Sequence, residues 1–219
     1  IAPVSQLLPA TEEAHEKQTL EEVQRNAMKI NSLIHQVLNF NRIEDNEDSL
    51  LILSRIELVS FSHSLFSVYE EDKRLTFLFE TNKAKIYADM DAIKLGVILD
   101  SLLSNAVKFT PDGGSIRLSL FYREETGLVD ICVSDTGSGI PPRDIPYIFQ
   151  RFFQSPHSGN KEGTGIGLYL VKTYTELHGG HITGVTSEEG KGTSVGLNIP
   201  VIAVEEEEIP ATQEKKRLE

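Results

Sequence analysis

Apolar residues at alternating steps of three and four mark the first long element of the chain. Leu20, Val23, Ala27, Ile30, Ile34 and Val37 form a heptad seam, widened by Met28, Leu33, Leu38 and Phe40. Thr19, followed three residues later by Glu22, supplies a capping box at its start. A stripe this broad needs several partner helices. The apolar-periodic piece from Ile1 to Leu8 has no N-cap residue before it and reads as the end of a helix whose beginning is absent. It offers only one short partner, so the spacing predicts that a helix over 19–44 pairs with a second copy of the chain in a bundle. Packing on the chain's own globular part is the alternative.

The heptad pattern breaks near Asp45 to Ser49, where the domain boundary is placed. Beyond it, apolar alternation predicts a strand over Leu50 to Ile56, a helix over Ser60 to Glu71, and strands over Arg74 to Glu80 and Lys85 to Ala88 joined by a turn at Asn82. A helix from Asp91 through Phe109 is apolar almost all round, including Ile93, and stops at Thr110-Pro111-Asp112-Gly113-Gly114. Ser115 to Tyr122 and Leu128 to Ser134 form a hairpin. Pro141, Pro142 and Asp144 open a short helix through Phe152, and Gly165 to Leu177 is a further helix. Strands His181 to Thr186 and Ser194 to Ile199 close the fold. Mixed strand and helix order without regular alternation predicts an α+β layered sheet with helices on one face. The domains are thus 1–46, 50–201 and an acidic linker or tail over 204–219.

Composition narrows the partners. With 39% hydrophobic and 25% charged residues the chain can bury a full core, and a net charge of -12 argues against nucleic acid. No segment has the ~18 consecutive apolar residues of a membrane span, and no signal peptide is evident. The single cysteine, Cys132, falls in an apolar strand pattern, reads as a buried core thiol and fits a reducing compartment.

Candidate chemistry lies in three places. Asp135 ends a strand and is followed by Gly137 and Gly139, which delivers a fixed carboxylate where backbone can approach a ligand closely, or else simply makes a tight turn. Ser101, Asn105 and Lys108 share one face of the long helix. An amide oxygen there can ligate Mg²⁺ and the lysine can meet phosphate charge, although a satisfied core amide is equally open. Gly163, Gly165 and Gly167 alternate at a helix start, where orphan N–H groups and the positive dipole end suit polyphosphate. The spacing is neither the Gly-x-Gly-x-x-Gly fingerprint nor a Walker loop, and the protein-kinase, zinc and hydrolase motifs are absent.

Together these stretches resemble a sensor histidine kinase. Leu102 to Pro111 resembles the N box, Asp135 to Ile140 the first glycine box, Ile148 to Phe153 the F box, and Gly163 to Leu168 the second glycine box, in the family's order. The resemblance implies a Bergerat-type ATP-binding domain that uses ATP and Mg²⁺. Asp135 would accept from the adenine amino group, with Gly137, Gly139, Ile140 and Thr193 around the base. Asn105 would hold Mg²⁺, and Lys108 and Arg151 would face the phosphates. Thr164, Gly165, Ile166, Gly167 and Leu168 would cradle them, and Gln154 to Lys161 would form a lid.

Two departures limit the carry-over. Ser101 stands where the family usually has a first Asn and where related ATPases place a general-base Glu, so water activation is not expected. The phosphoacceptor block is absent. His15 lacks the Arg and Pro that should follow the acceptor and reads as part of the connection, while His35 lies outside the heptad row. The implied function is phosphoryl transfer to a histidine upstream of Ile1, in a homodimer through 19–44, with a response-regulator receiver domain as the next partner. Hybrid-kinase architecture and a plain C-terminal tail are both open, and the parent would be membrane-anchored with this part cytoplasmic. The alternatives are a related Bergerat ATPase and a non-catalytic nucleotide-binding module.

Overall fold

A computed structural model describes residues 50–156 and 163–201. The chain divides into two units, Ile1–Asp48 and Ser49–Glu219, and every described residue belongs to the second. The expectations for the 19–44 helix, for His15 and His35, for the acidic tail and for most of the lid lie outside the described residues.

The elements run β1 (Ser54–Glu57), α1 (Leu58–Tyr69), β2 (Thr76–Thr81), β3 (Tyr87–Met90), α2 (Ala92–Phe109), β4 (Ser115–Arg123), β5 (Leu128–Asp135), α3 (Gly167–Leu177), β6 (His181–Glu188) and β7 (Gly192–Pro200). Five strands form a mixed sheet in the order β2-β4-β5-β7-β6, while β1 and β3 form a separate antiparallel pair. Alternation within the strands determines the buried face. Ile116, Leu118 and Leu120, Val129, Ile131 and Val133, and Val195, Leu197 and Ile199 all lie on it. Against them pack Leu95, Ile98, Leu99, Leu102, Leu103 and Ala106 of α2 with Leu170, Val171 and Tyr174 of α3. Layered α+β architecture with helices on one face is what the pattern predicts.

Several expectations change. Segments 74–80 and 85–88 do not pair with each other: β2 runs parallel to β4, and β3 pairs with β1. Asn82 does not join them in a hairpin. Its amide donates to Tyr122 O at 2.9 Å and accepts from Tyr122 N at 2.8 Å, extending the contact with β4 past the end of β2. A parallel pair requires a crossover, and α2 supplies it. The first strand begins only at Ser54, and Leu50 and Ile52 are exposed. The segment after Pro142 makes only a 3₁₀ turn, Ile145–Tyr147, with no side-chain cap. Ile93 is 75% exposed, because it projects from α2 opposite the stripe begun by Leu95, while Lys94 is buried instead. Cys132 is half-buried rather than in the core. Its neighbours Ile131 and Val133 occupy the helix-covered face, so the thiol falls on the other, beside the Ser194 hydroxyl at 3.1 Å.

α2 and α3 run antiparallel, with Gly167 beside Ser101 at one end and His178 beside Asp91 at the other. Asp91 caps α2 through Ile93 N at 3.1 Å and Lys94 N at 3.0 Å, and takes Ile52 N at 3.0 Å on its other oxygen. The Lys94 ammonium donates to that carboxylate and to Leu50 O. His178 closes the group: Nε2 accepts from Asp91 N at 3.1 Å, and Nδ1–H faces Tyr174 O at 2.7 Å. Acceptance at Nε2 requires a neutral ring, whereas Nδ1–H can donate in either state. Burial, aided by Lys94, holds its pKa below 6.5 against the pull of the Tyr174 carbonyl and the Asp91 charge.

The unfolded chain therefore binds a proton that the folded one resists, so this stabilisation is complete above pH 6.5 and is lost as pH falls through the depressed folded value. Urea midpoints followed from about pH 8 to about pH 5 should fall for the native chain and stay nearly level over that interval for His178→Gln. The carboxylates of Glu57 and Asp91, whose pKa values lie below 4.5 and 3.8, contribute their loss only at lower pH.

Candidate nucleotide-binding site

Register places four side chains in a row across the covered face of the sheet. Ile116 is opposite Asp135, Asp135 opposite Thr193, and Thr193 opposite Ser187. At the end of β5, Asp135 Oδ1 accepts from Gly137 N at 2.7 Å and from Thr193 N at 3.3 Å. No hydrogen bond among the described residues engages Oδ2. Burial pushes this carboxyl up from its ordinary 3.8, and the two N–H groups pull it back only in part. A half-desolvated carboxylate with one unengaged oxygen still has an acceptor to offer a further N–H donor.

The glycines of this turn lie against protein backbone. A Cβ on Gly137 would lie 2.7 Å from Phe109 O, and one on Gly139 would lie 2.1 Å from Glu188 O. Side chains there would strike protein backbone, so the missing side chains let the turn dock. Ser138 N donates to Phe109 O at 3.2 Å, Gly190 N to Ser138 O at 2.8 Å, and Ile140 N to Ser187 Oγ at 2.7 Å. The Asp135 turn is thereby clamped between the end of α2 and the β6–β7 turn.

The end of α2 carries the second cluster. Asn105 and Lys108 are both half-buried, so Asn105 is no core amide. The Lys108 ammonium lies 4.8 Å from the centre of the Phe109 ring and 3.0 Å from where a Gly163 Cβ would be. That places it against the second glycine stretch. Arg151 extends its guanidinium over the rings of Phe152, at 5.3 Å, and Tyr169, at 6.0 Å, in the first turn of α3. The N-cap of α3 is Ile166, which offers no side-chain bond, so the first N–H groups of the helix remain available. The side chain of Ile166 itself is core, while Leu168 is half-buried. Thr164 Oγ1 accepts from Ile166 N at 3.3 Å.

Gly165 serves packing too. Its φ is +70°, a Cβ would lie 2.5 Å from Phe152 C, and its carbonyl accepts from Phe152 N at 2.9 Å. Phe152 is itself left-handed at φ 61°, a strained position for a bulky residue. The described start of the lid segment is anchored: Gln154 Nε2 donates to Gly163 O at 2.8 Å, and the Ser155 hydroxyl bonds the buried Asp144.

No group of three or more His, Cys, Asp or Glu residues suited to a metal occurs among the described residues. A bare protein cage is therefore ruled out within them, but magnesium held mainly by phosphate oxygens and water requires only one or two protein oxygens. Asn105 fits, since no hydrogen bond of the described residues occupies its amide.

Ser187 is the residue that sequence reasoning overlooked. Its bonds to Ile140 N, Thr193 Oγ1 and Gly192 O put it at the centre of the clamp. The Glu188 to Gly192 turn already implies that 187 and 193 face each other, which is the signal that could have found it.

The fold and site define a layered α+β domain with a half-buried acid at the end of β5 and, on α2 and before α3, cations beside an open helix start. Residues 90–203 match the family described as histidine kinase-, DNA gyrase B-, and HSP90-like ATPase, and the chain belongs to that family. Its relatives include sensor histidine kinase WalK of Bacillus subtilis, 31% identical over 172 residues, or 77% of this chain and 28% of that protein. Hybrid signal transduction histidine kinase D of Dictyostelium discoideum is 33% identical over 193 residues, 84% of this chain and 12% of that one. The chain thus spans well under a third of these relatives.

Among solved structures, mycobacterial sensor histidine kinase MprB superposes with a TM-score of 0.60 at 25% identity, covering 68% of this chain and 98% of that one. Full-length ShkA, solved with AMPPNP, shares the fold with a TM-score of 0.70 at 23% identity, covering 88% and 40%. The described unit is a histidine-kinase-type ATP-binding domain. None of its described helices is long and apolar enough to cross a membrane.

Proposed function

We propose that this domain binds Mg-ATP and presents the γ-phosphoryl group to a histidine on a helix of the parent protein, the first step of two-component signalling. The observation that carries the reading is the Asp135 carboxylate, with one oxygen held by Gly137 and Thr193 and the other unengaged at the end of β5. The adenine 6-amino group donates to Oδ2. Lys108, Arg151 and the first N–H groups of α3 hold the polyphosphate at the opposite end. Magnesium, when bound, neutralises phosphate charge, and the Asn105 amide oxygen holds it.

The accepting imidazole nitrogen forms a bond to γ-phosphorus as the bond to the β–γ bridging oxygen breaks and ADP departs. The domain contributes positioning and charge neutralisation rather than covalent chemistry. Ser101 has no basicity with which to activate water, which supports transfer over hydrolysis. A dimer through the 19–44 helix and a receiver domain as the next acceptor complete the proposal. AMPPNP in ShkA, and the response regulator TrrA solved in complex with histidine kinase ThkA, a further structure of this fold with a TM-score of 0.62 at 20% identity, are parallels at the level of fold.

Calorimetric titration with ATP and magnesium, combined with a phosphate-release assay, tests this reading. Stoichiometric binding with negligible steady turnover is expected. Absence of binding would overturn it, and brisk turnover would assign the chain to the hydrolytic branch. Radiolabelled ATP should leave no acid-labile label on the 219-residue chain, and label mapped to His15 would refute the placing of the acceptor elsewhere.

A further inference from the structure

We propose that Ser187 is a positioning residue that fixes the direction of the Thr193 hydroxyl and thereby makes the site select a 6-amino over a 6-oxo purine. The inference rests on the adenine reading above and adds the basis of its selectivity.

A serine hydroxyl has one proton to give and two lone pairs to fill. Ile140 N donates to Ser187 Oγ at 2.7 Å, which fills the first lone pair. Gly192 O, 3.0 Å away, can only accept, so the Ser187 proton belongs to it. Thr193 Oγ1 lies 3.0 Å from the same oxygen. With the Ser187 proton engaged, the contact forms only if Thr193 donates. Every valence of Ser187 is then satisfied, and the Thr193 oxygen keeps its lone pairs for the cleft.

Thr193 stands between Ser187 and Asp135 in the row across the sheet. The cleft therefore offers two neighbouring acceptors, Asp135 Oδ2 and Thr193 Oγ1. An exocyclic amino group carries two N–H bonds and meets both. A carbonyl in its place turns lone pairs toward lone pairs. Without Ser187 the threonine hydroxyl is released, turns, and donates to a 6-oxo group, so the discrimination weakens. Asp135 alone cannot supply this second check, since a carboxylate can also accept from the N1–H of a 6-oxo purine.

The test titrates ATP and inosine triphosphate, which differ at the 6-position and in protonation at N1, against the full chain and its variants. In Ser187→Ala the ratio of the two affinities should narrow by about five- to tenfold, the effect of one misdirected hydrogen bond. Ser187→Thr, which keeps the hydroxyl, should retain the native ratio. Thr193→Val should narrow the ratio to a similar extent, and adding Ser187→Ala to it should change nothing more, because the serine acts through the threonine.

Equal loss of both nucleotides in Ser187→Ala, or further narrowing in the double variant, would overturn the proposal and leave a purely structural serine. Should Ser187→Ala fail to fold, an unchanged ratio in Thr193→Val overturns it equally. A native chain that binds neither nucleotide would refute the adenine reading itself, whereas native ATP binding with an unmoved ratio refutes only the role of Ser187.

Discussion

Asp135→Asn is expected to lose ATP at least about a hundredfold while keeping the fold, a loss of about 3 kcal/mol in line with a charge-assisted bond. The geometry forces the amide into the harmful orientation. Gly137 N and Thr193 N both donate to Oδ1, so an asparagine must put its carbonyl oxygen there and its NH₂ in the place of Oδ2. The amide then turns N–H toward the amino group of adenine, donor against donor. Asp135→Ala removes the acceptor for Gly137 and Thr193 as well. It should lose binding and also about 1–3 kcal/mol of stability. Calorimetry on both variants, with urea unfolding as the second reading, separates the effects. Intact affinity in Asp135→Asn would remove adenine from this carboxylate.

Gly192→Ala should be among the most damaging substitutions in the domain. Gly192 has φ +107°, and a Cβ there would lie 1.9 Å from Asp135 O and 2.8 Å from Thr136 Cα. The contact is with backbone in the neighbouring strand, which cannot swing aside as a side chain could. Conformational strain of about 1–3 kcal/mol adds to a clash that must separate β7 from β5 beside the site. A urea-midpoint shift equivalent to at least about 3 kcal/mol is expected, with loss of ATP binding. Gly113→Ala is the control. Gly113 is also left-handed, at φ +82°, but nothing lies within 4 Å of its would-be Cβ. Only the backbone cost of about 1–2 kcal/mol remains. Equal effects in the two variants would show that strain rather than packing governs Gly192.

Much of this was legible because the relevant signals are local. Thr110 to Gly114 stops α2 where expected, Asp91 caps it, and the alternation in 115–122 and 128–134 names the central hairpin correctly. Family motifs are also what point to Asp135, Asn105 and Lys108, whose roles belong to the proposal above. What escaped depends on contacts far apart in sequence. Pairing of β2 with β4 leaves no mark in either segment alone, and a turn residue such as Asn82 serves a strand edge as readily as a hairpin. Ile93 and Lys94 exchange their expected environments because Asp91, Leu50 O and the Tyr174 ring together accommodate an ammonium. The glycine turns revealed that backbones approach closely, but not that the approaching backbones are those of Phe109, Glu188 and Phe152. Ser187 carries no motif, and its importance comes from the register of β6 against β7.

The strand order also ties the site to the history of the chain. Asp135 receives a bond from Thr193, 58 residues later in sequence, and β7 must insert between β5 and β6 for that bond to exist. A chain emerging from the ribosome thus has its acid, and the nearby Gly137 N–H, in place long before Thr193 arrives to complete the orientation. During synthesis, nucleotide capture would report that the last strand has been threaded home, and an energy donor could not be engaged by a half-made kinase domain.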